Sequence, residues 1–259
     1  MVFWRKYIIK ASISLFMLPL LTIVAQAQSV VNTESIRLDS LDNGLSGNVE
    51  LGFNLVQNIN NVIQTQNSSH FQWGRGNHSI MSVNALNLTV FNKTKVLNDG
   101  FQYFRYAYSL SPTFDVESFV QAQYNTIINI RGRYLMGLGG RLHVLEANED
   151  SLKLHLSAHY MREYEEETSA IINRHHRLNT VVSFGWPIHD NLNVNFMGYY
   201  QPDLMRMKDF RVSTEAGINI QIFRRFTLKY AMAWFYDQYP PEGIRNIFYT
   251  FKNTLLFKF

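Results

Sequence analysis

The C-terminal segment alternates between two kinds of side chain, and this pattern constrains the fold more than any other feature of the chain. Counting back from the end, one face carries Phe259, Phe257, Leu255, Asn253, Phe251, Tyr249 and Ile247. The other face carries Lys258, Leu256, Thr254, Lys252, Thr250 and Phe248. An apolar, aromatic stripe with period two fits a β-strand with lipid on one side and a polar interior on the other. A terminal aromatic residue is typical of bacterial outer-membrane barrels, so we expect Phe259 to act as the assembly signal.

Residues 1–27 have the pattern of a secretory signal peptide. Arg5 and Lys6 form a basic start, an apolar run extends from Ala11 to Ala25, and the small residues Ala25 and Ala27 mark a cleavage site. The run of about 15 apolar residues is shorter than the roughly 20 that a spanning helix needs. We therefore predict cleavage, with an N-terminal membrane anchor as the alternative. No cysteine follows the run, which excludes a lipoprotein anchor.

The composition favours alternating strands. Hydrophobic residues make up 46% and aromatic residues 14% of the chain, yet the mean hydropathy is −0.14. After the predicted signal, no segment approaches about 18 consecutive apolar residues, which excludes a helical membrane protein. The net charge of +4 includes three basic residues of the signal and falls to about +1 without them. We therefore expect no nucleic-acid partner.

The remaining chain is divided into a flexible periplasmic lead-in at 28–43 and an all-β domain at 44–259. Its twelve candidate strands reach or exceed the roughly 9–11 residues that a membrane-spanning strand needs, whereas soluble strands average about 5–6. Strand 61–73 is the weakest, because its polar residues do not alternate. The predicted strands are 45–56, 61–73, 77–91, 101–110, 113–124, 131–145, 151–163, 174–186, 191–201, 210–222, 225–236 and 246–259. We predict a transmembrane antiparallel up-and-down β-barrel of about 12 strands.

The predicted connections alternate in length, as expected for a barrel with short periplasmic turns and longer outer loops. An even number of strands returns the C-terminus to the periplasm. The predicted outer loops are Asn92–Gly100, Tyr164–Asn173, Pro202–Asp209 and Asp237–Arg245.

The middle third of the chain resembles a known family. The matching segments are Asp99–Pro112, Glu117–Asn125, Arg131 with Arg133, Leu135–Leu142 and Tyr160–Glu165. These segments resemble the salt-induced outer-membrane protein family, domain of unknown function 481. The resemblance implies an outer-membrane β-barrel and brings no agreed catalytic or ligand residues.

Charged residues of both signs share the predicted inward face of neighbouring strands. The candidate lumen-lining residues are Arg105, Asp115, Glu117, Arg133, Arg141, Lys153, His155 and His159. One interpretation is a polar constriction that selects solutes. The other is an interior network of ion pairs that plugs a narrow barrel, because buried charges need partners. A pore selective for one ion sign would have a lining of one sign, whereas this one is mixed.

His155, Ser157 and His159 share one face and raise the possibility of a hydrolase or a metal site. Residues two apart on a strand lie about 7 Å apart, too far for a direct hydrogen bond between base and nucleophile. The two histidines would lie about 13 Å apart, too far to share a metal. We therefore predict no catalytic, cofactor-binding or metal-binding residues.

An acidic cluster occupies a predicted outer loop. It consists of Glu163, Glu165, Glu166 and Glu167. These carboxylates could bridge divalent cations to lipopolysaccharide phosphates, or they could simply be solvated. The glycines at 137, 139 and 140 are expected to permit curvature of the barrel wall.

These observations predict an outer-membrane barrel without enzymatic activity. Such a barrel would either have a structural role in adaptation of the envelope or act as a narrow solute channel with a mixed-charge lumen. The alternatives are an outer-membrane lipid hydrolase that uses Ser157 and His155, and a soluble periplasmic β-protein. The expected partners are outer-membrane lipid, lipopolysaccharide and, through the C-terminal strand, the barrel-assembly machinery.

Overall fold

A computed structural model describes residues 43–57, 61–146, 152–189, 191–223 and 226–257. These residues form the strands β1 (Asn43–Gln57), β2 (Asn61–Arg75), β3 (His78–Phe91), β4 (Thr94–Ser111), β5 (Phe114–Asn125), β6 (Ile130–Glu146), β7 (Lys153–Glu167), β8 (Ile172–His189), β9 (Leu192–Pro202), β10 (Phe210–Phe223), β11 (Phe226–Asp237) and β12 (Ile247–Phe257). The predicted signal peptide, nearly all of the predicted lead-in and Phe259 lie outside the described residues.

Each strand pairs antiparallel with the next one in the sequence, in a single sheet ordered from β1 to β12. Lys252 of β12 lines the same cavity as Glu50 and Gly52 of β1. The sheet therefore curls round until its first and last strands line one interior space. The fold is an up-and-down β-barrel of twelve strands, which confirms the predicted fold class. The described part of the chain contains no helix long and apolar enough to cross a membrane.

The two ends of the barrel differ in their connections. The connections at 92–93, 126–129, 168–171, 203–209 and 238–246 share one end, which we call the loop end. The connections at 76–77 and 112–113 lie at the opposite end, which we call the turn end. The two longest connections, 203–209 and 238–246, both belong to the loop end, as the predicted alternation requires.

The barrel exposes apolar side chains and buries polar ones. On β1, Leu51 is 80% exposed and Phe53 is 70% exposed. Along β7, His155, Ser157 and His159 are buried, while the residues between them face outward. Soluble proteins show the opposite distribution. An apolar exterior with a polar interior is the arrangement that a lipid solvent requires, and it argues against a soluble periplasmic β-protein.

Strand β2 is complete, although its sequence alternates poorly. In continuous register, all of Asn61–Arg75 pairs with β1, and 62–75 pairs with β3. Pairing on both edges satisfies its backbone groups whatever its side chains are. The barrel thus overrides a weak local pattern.

The predicted loop Asn92–Gly100 is wrong. Strand β4 begins at Thr94, and the connection from β3 consists of Asn92 and Lys93 at φ values of 45° and 68°. Two successive residues with positive φ form the tight hairpin turn whose twist matches the flanking strands. The usual sequence signal for this turn is Asn-Gly, and Lys93 stands in the place of the glycine.

The predicted loop Tyr164–Asn173 is also too long. Strand β7 continues to Glu167 and β8 begins at Ile172. The acidic cluster consequently belongs to β7 rather than to a solvated loop. Glu163, Glu165 and Glu167 are buried inside the barrel, and only Glu166 faces outward.

Two glycines of β6 let side chains of β5 and β7 meet across it. Gly139 is paired with Glu117 on one side and His159 on the other. Because Gly139 has no side chain, His159 Nε2 can approach Glu117 Oε2 to 3.2 Å. Gly137 makes the same kind of space for the ring of Phe119, which a Cβ atom would overlap. The register does not shift at either glycine, so we assign them a packing role instead of the predicted role in curvature.

Substitution of Gly139 by alanine tests this packing. The added Cβ atom would overlap the Ala158 carbonyl oxygen and the His159 Cα atom. We expect the free energy of unfolding in detergent micelles to fall by about 1–3 kcal/mol, measured by urea titration with tryptophan fluorescence. Gly185→Ala is the control, since its Cβ would meet nothing within 4 Å. Equal stability of the two variants would contradict the packing role.

Candidate functional site

The interior of the barrel contains the eight sequence-predicted lumen-lining residues on one continuous face of the sheet. Lys153 is half-buried. The other seven are fully buried: Arg105, Asp115, Glu117, Arg133, Arg141, His155 and His159. They are divided between two polar layers, one near each end of the barrel, with an apolar layer between them.

The first polar layer, the loop-end network, is centred on Glu163, whose side chain is 0% exposed. Three arginines converge on this carboxylate. Arg133 Nε lies 3.1 Å from Oε1. Arg177 Nε donates to Oε2 at 2.8 Å, and Arg211 Nη1 donates to Oε1 at 2.6 Å.

Further carboxylates extend the loop-end network across the barrel. Glu165 accepts from Arg133 Nε at 2.6 Å and from Arg211 Nη2 at 3.2 Å. Arg211 Nε also donates to Asp237 Oδ2 at 2.7 Å. Arg211 lies on β10 and both glutamates lie on β7. These strands are not neighbours in the sheet, so the network crosses the interior instead of following the wall.

The charges of this network compensate one another. Each arginine or carboxylate carries a desolvation cost of several kcal/mol when buried, which only close partners offset. Planar guanidinium groups suit this task because their donors match the geometry of carboxylates. Of these residues only Arg133 was predicted to line the lumen. The period-two pattern of inward side chains along β7, continued past His159, would have found Glu163 and Glu165.

An apolar layer fills the middle of the barrel on the side of β3 to β7. Its buried members are Met81, Val83, Phe101, Tyr103, Phe119 and Met161. The Tyr103 ring stacks between those of Phe101 and Phe119, with centroid distances of 6.2 and 5.7 Å. Apolar side chains at this level exclude water from part of the lumen. None of these residues was predicted to line the lumen.

The second polar layer, the turn-end network, lies beyond the apolar layer. Glu117 has a basic side chain on each side: Arg105 Nη1 lies 4.0 Å from Oε1, and His159 Nε2 lies 3.2 Å from Oε2. Asp115 lies 2.9 Å from His143 Nε2. The imidazole of His155 packs edge-on against that of His143, with ring centroids 4.9 Å apart. Charges of both signs are therefore paired at this level too.

A cavity of about 490 Å³ remains open in the lumen, next to the apolar layer and away from the loop-end network. It is lined by β12 and by β1 to β5. Its acidic and basic lining residues are Glu50, Asp99 and Lys252. Asp99 Oδ2 accepts from Asn87 Nδ2 at 2.9 Å, while Oδ1 has no hydrogen-bond partner among the described residues. Amide side chains form most of the remaining polar surface.

The connection 203–209 folds over the loop end of the barrel and is held there by ion pairs. Asp209 accepts from Arg206 Nη2 at 2.6 Å and from Arg177 Nη2 at 3.0 Å. Asp203 lies 2.6 Å from His175 Nδ1, and Oδ1 of Asp203 accepts from the Met205 amide at 2.8 Å. The connection is thus fastened directly to the loop-end network through Arg177.

The pKa values of both aspartates reflect these contacts. Burial raises the pKa of Asp203, but the hydrogen bonds from His175 and the Met205 amide outweigh this effect and lower it below its ordinary value. Burial likewise raises the pKa of Asp209, and the hydrogen bond from Arg206 and the charge of Arg177 more than reverse it. Both carboxylates are therefore ionised at neutral pH.

Two other connections meet over the mouth of the barrel. Asn129, between β5 and β6, donates from Nδ2 to the carbonyl oxygen of Glu242 at 3.0 Å. Glu242 lies between β11 and β12. These two connections come from opposite sides of a twelve-stranded barrel. Their contact narrows the opening at the loop end.

One group of side chains has the composition of a metal site. His175, Asp203 and Asp209 place ligand atoms within 4.8 Å of one another. Local sequence patterns do not reveal this group, because His175 lies far from the two aspartates in the chain. However, Arg177 and Arg206 already bind Asp209. A divalent cation would have to lie beside two guanidinium charges, so we assign this group to the ion-pair network.

Ser157 and His155, the residues of the hydrolase alternative, are buried on the inner face of β7. The side chain of His155 packs against His143. A lipid substrate would approach the opposite, outward face of the barrel. Their position does not favour lipid hydrolysis.

The family model "Protein of unknown function, DUF481" matches residues 71–259. The match covers more than half of the chain, so the protein belongs to this family, and the resemblance at residues 99–164 is confirmed. No curated protein matches the sequence.

Comparison with solved structures gives similarities of low sequence identity. The NanC porin is 12% identical, with a TM-score of 0.47 over 76% of this chain and 94% of that one. The KdgM porin in complex with disordered oligogalacturonate is 9% identical, with a TM-score of 0.41 over 77% and 96%. The deltaS2 mutant of the TodX monoaromatic hydrocarbon channel is 6% identical, with a TM-score of 0.37 over 83% of this chain and 78% of that one. Each of the three TM-scores is below 0.5.

Truncation of Glu163 tests the energetic role of the loop-end network. Glu163→Ala would leave three arginines converging on an empty position. We expect the free energy of unfolding in detergent micelles to fall by about 3–5 kcal/mol, measured by urea titration. Glu166→Ala is the matched control on the outer face of β7, where the partner Arg131 is 69% exposed. That variant should lose less than about 1 kcal/mol. Similar losses for the two variants would contradict a buried, compensated network.

The connection 203–209 should loosen in acid. Because the pKa values of Asp203 and Asp209 are lowered by folding, their stabilisation is complete above the ordinary aspartate pKa of about 4. It is lost as the pH falls through the lower, folded-state values. The side chain of Met205 is 84% exposed, so a Met205→Cys variant can carry a nitroxide label. Electron paramagnetic resonance should show this label immobilised at neutral pH and mobile in strong acid. Adding Asp203→Asn should increase its mobility at neutral pH. An unchanged line shape across this range would contradict the role of the two carboxylates.

Proposed function

We propose that this DUF481 protein is an outer-membrane β-barrel whose narrow, charge-compensated lumen admits only small polar solutes. The observation that carries the proposal is the lumenal cavity of about 490 Å³ beside the ion-pair networks and the apolar layer. A fully packed interior would leave no such space. A wide aqueous pore would have neither a network that crosses it nor an apolar layer within it.

The position of the cavity limits what can pass. Loop-end charges occupy the side of β6 to β11, and the apolar layer occupies the side of β3 to β7 at mid-height. A passage through both levels is therefore restricted to the sector of β12, β1 and β2. Apolar side chains at a constriction also oppose wetting. Solutes much larger than the cavity would have to displace packed side chains.

The lining of the cavity points to weak discrimination between ions. Glu50 and Asp99 oppose Lys252, and a strongly selective pore would have a lining of one sign. Amide groups such as those of Asn87 and Gln123 can donate and accept hydrogen bonds. They suit uncharged or weakly charged polar solutes. The proposal includes no enzymatic activity.

A sealed, structural barrel that supports the envelope is the second candidate. It is favoured by the contact of Asn129 with Glu242 across the mouth and by the ion pairs that join Glu163 to Arg211 across the interior. Both would stiffen the barrel whether or not solutes pass. In either role, the apolar exterior supports an outer-membrane location with lipid as its neighbour. Lipopolysaccharide and the barrel-assembly machinery are the further partners that we propose.

Single-channel recording separates the two candidates. The mature chain, refolded in detergent and shown to be folded by its heat-dependent gel mobility, is added to a planar bilayer at two salt concentrations. We expect discrete steps of low conductance with weak ion selectivity. Silence from the folded protein would overturn the channel proposal in favour of a sealed barrel. Large, strongly selective steps would contradict the restricted lumen.

The apolar layer should set the size of those steps. The double variant Phe101→Ala/Tyr103→Ala removes two rings that face the interior of β4. We expect it to raise the conductance severalfold, because the constriction widens and becomes wetter. Phe104→Ala is the matched control, since the same strand carries that ring on its outer face, where it is exposed. A conductance unchanged in the double variant, or raised equally by both, would contradict the role of the layer.

A further inference from the structure

The outer surface of β6, β7 and β8 changes character towards the loop end. Nearer the turn end it is apolar, as in the row formed by Leu142, Leu156 and Val182. Two rows closer to the loop end differ in composition. One joins Met136, Arg162 and His176 as cross-strand neighbours, and the next joins Tyr134, Tyr164 and Arg174. Cross-strand neighbours on one face lie close enough for their side chains to act together.

Arg162 is the cation of this surface that is available to a ligand. Its side chain is exposed, and it forms no ion pair with the described residues. The other cations are engaged. Arg131 pairs with Glu166 at 2.9 Å, and the guanidinium carbon of Arg174 lies 5.8 Å from the centroid of the Tyr164 ring. The nearby carboxylate of Glu166 is thus already neutralised, and the net charge of the surface is positive.

A groove on the outside of the barrel adjoins Arg162. It has a volume of about 610 Å³. Phe104, Val120 and Met136 form its apolar wall. Arg162 and Tyr164 supply polar groups at one side. This combination fits an elongated molecule with an apolar chain and a charged head.

The barrel itself determines the class of occupant. The groove lies on the surface that faces the bilayer, so lipid is the molecule that contacts it. A guanidinium group binds phosphate through parallel hydrogen bonds, and tyrosine hydroxyls at a membrane interface can add others. We propose that the groove formed by β4 to β7 binds a lipid with an anionic phosphate headgroup. Its acyl chain lies along Phe104 and Met136, and its phosphate lies on Arg162.

This site is independent of the lumen. It requires the barrel to lie in a membrane, but it does not require the barrel to conduct. Loss of lipid preference and absence of conductance are therefore separate results, and neither one implies the other.

Native mass spectrometry of the full mature chain tests the site. The protein is released from neutral detergent micelles that contain equal amounts of dioleoylphosphatidylglycerol and dioleoylphosphatidylcholine, which share their acyl chains. We expect the phosphatidylglycerol to be retained about tenfold more than the phosphatidylcholine. Arg162→Gln should remove most of this preference, and Arg162→Lys should keep part of it because the charge remains. Equal retention of the two lipids by the wild-type protein would overturn the proposal.

Two controls determine whether the preference belongs to this site. Arg75→Gln removes an exposed arginine at the turn end of β2 and should leave the preference unchanged. A fall equal to that of Arg162→Gln would show that general surface charge is responsible, which contradicts the proposal. Inorganic phosphate at a concentration equal to that of the lipid should not compete. Full displacement of the phosphatidylglycerol by inorganic phosphate would overturn the assignment of a lipid to the groove.

Discussion

The burial of charge inside a barrel that faces lipid is the constraint on which the rest of the structure depends. Outward positions must be apolar, so the polar half of each strand points into a confined interior. Ionised groups there must find partners, since an isolated buried charge is too costly to maintain. Glu163 meets this requirement with Arg133, Arg177 and Arg211, which lie on three other strands. The same contacts that neutralise the carboxylate join distant parts of the wall.

This requirement explains why the interior is filled unevenly. Ion pairs have to converge, so they gather on one side of the barrel, and the apolar layer packs next to them. Gly139 permits such convergence on β6, because its missing side chain lets Glu117 and His159 meet across the strand. The side of β12 and β1 to β3 takes part in neither network, and the open cavity lies there. The position of the open cavity is thus a consequence of how charge is neutralised elsewhere.

Much of this fold follows from the sequence alone. Period two is a local property, so twelve strands and the inward face of Arg105 or Arg133 could be read from neighbouring residues. Which inward charges meet depends on the closure of the sheet, and Arg211 with Glu163 could not be paired by any local rule. Strand ends were predicted less well where the turn chemistry was unusual, as at Lys93. The error at Tyr164–Asn173 arose because an acidic run looks solvated until the barrel provides arginines for it.

The orientation of the wall is the central claim, and spin-label accessibility on β1 tests it most directly. The chain has no cysteine, so single cysteines can be placed at successive positions from Asn48 to Phe53 in protein reconstituted into bilayers. Oxygen partitions into lipid, whereas a polar nickel chelate stays in water. Labels at Val49, Leu51 and Phe53 should collide with oxygen, and those at Asn48, Glu50 and Gly52 with the chelate. Two identical faces, or accessibility without a period of two, would contradict a membrane barrel with a polar lumen.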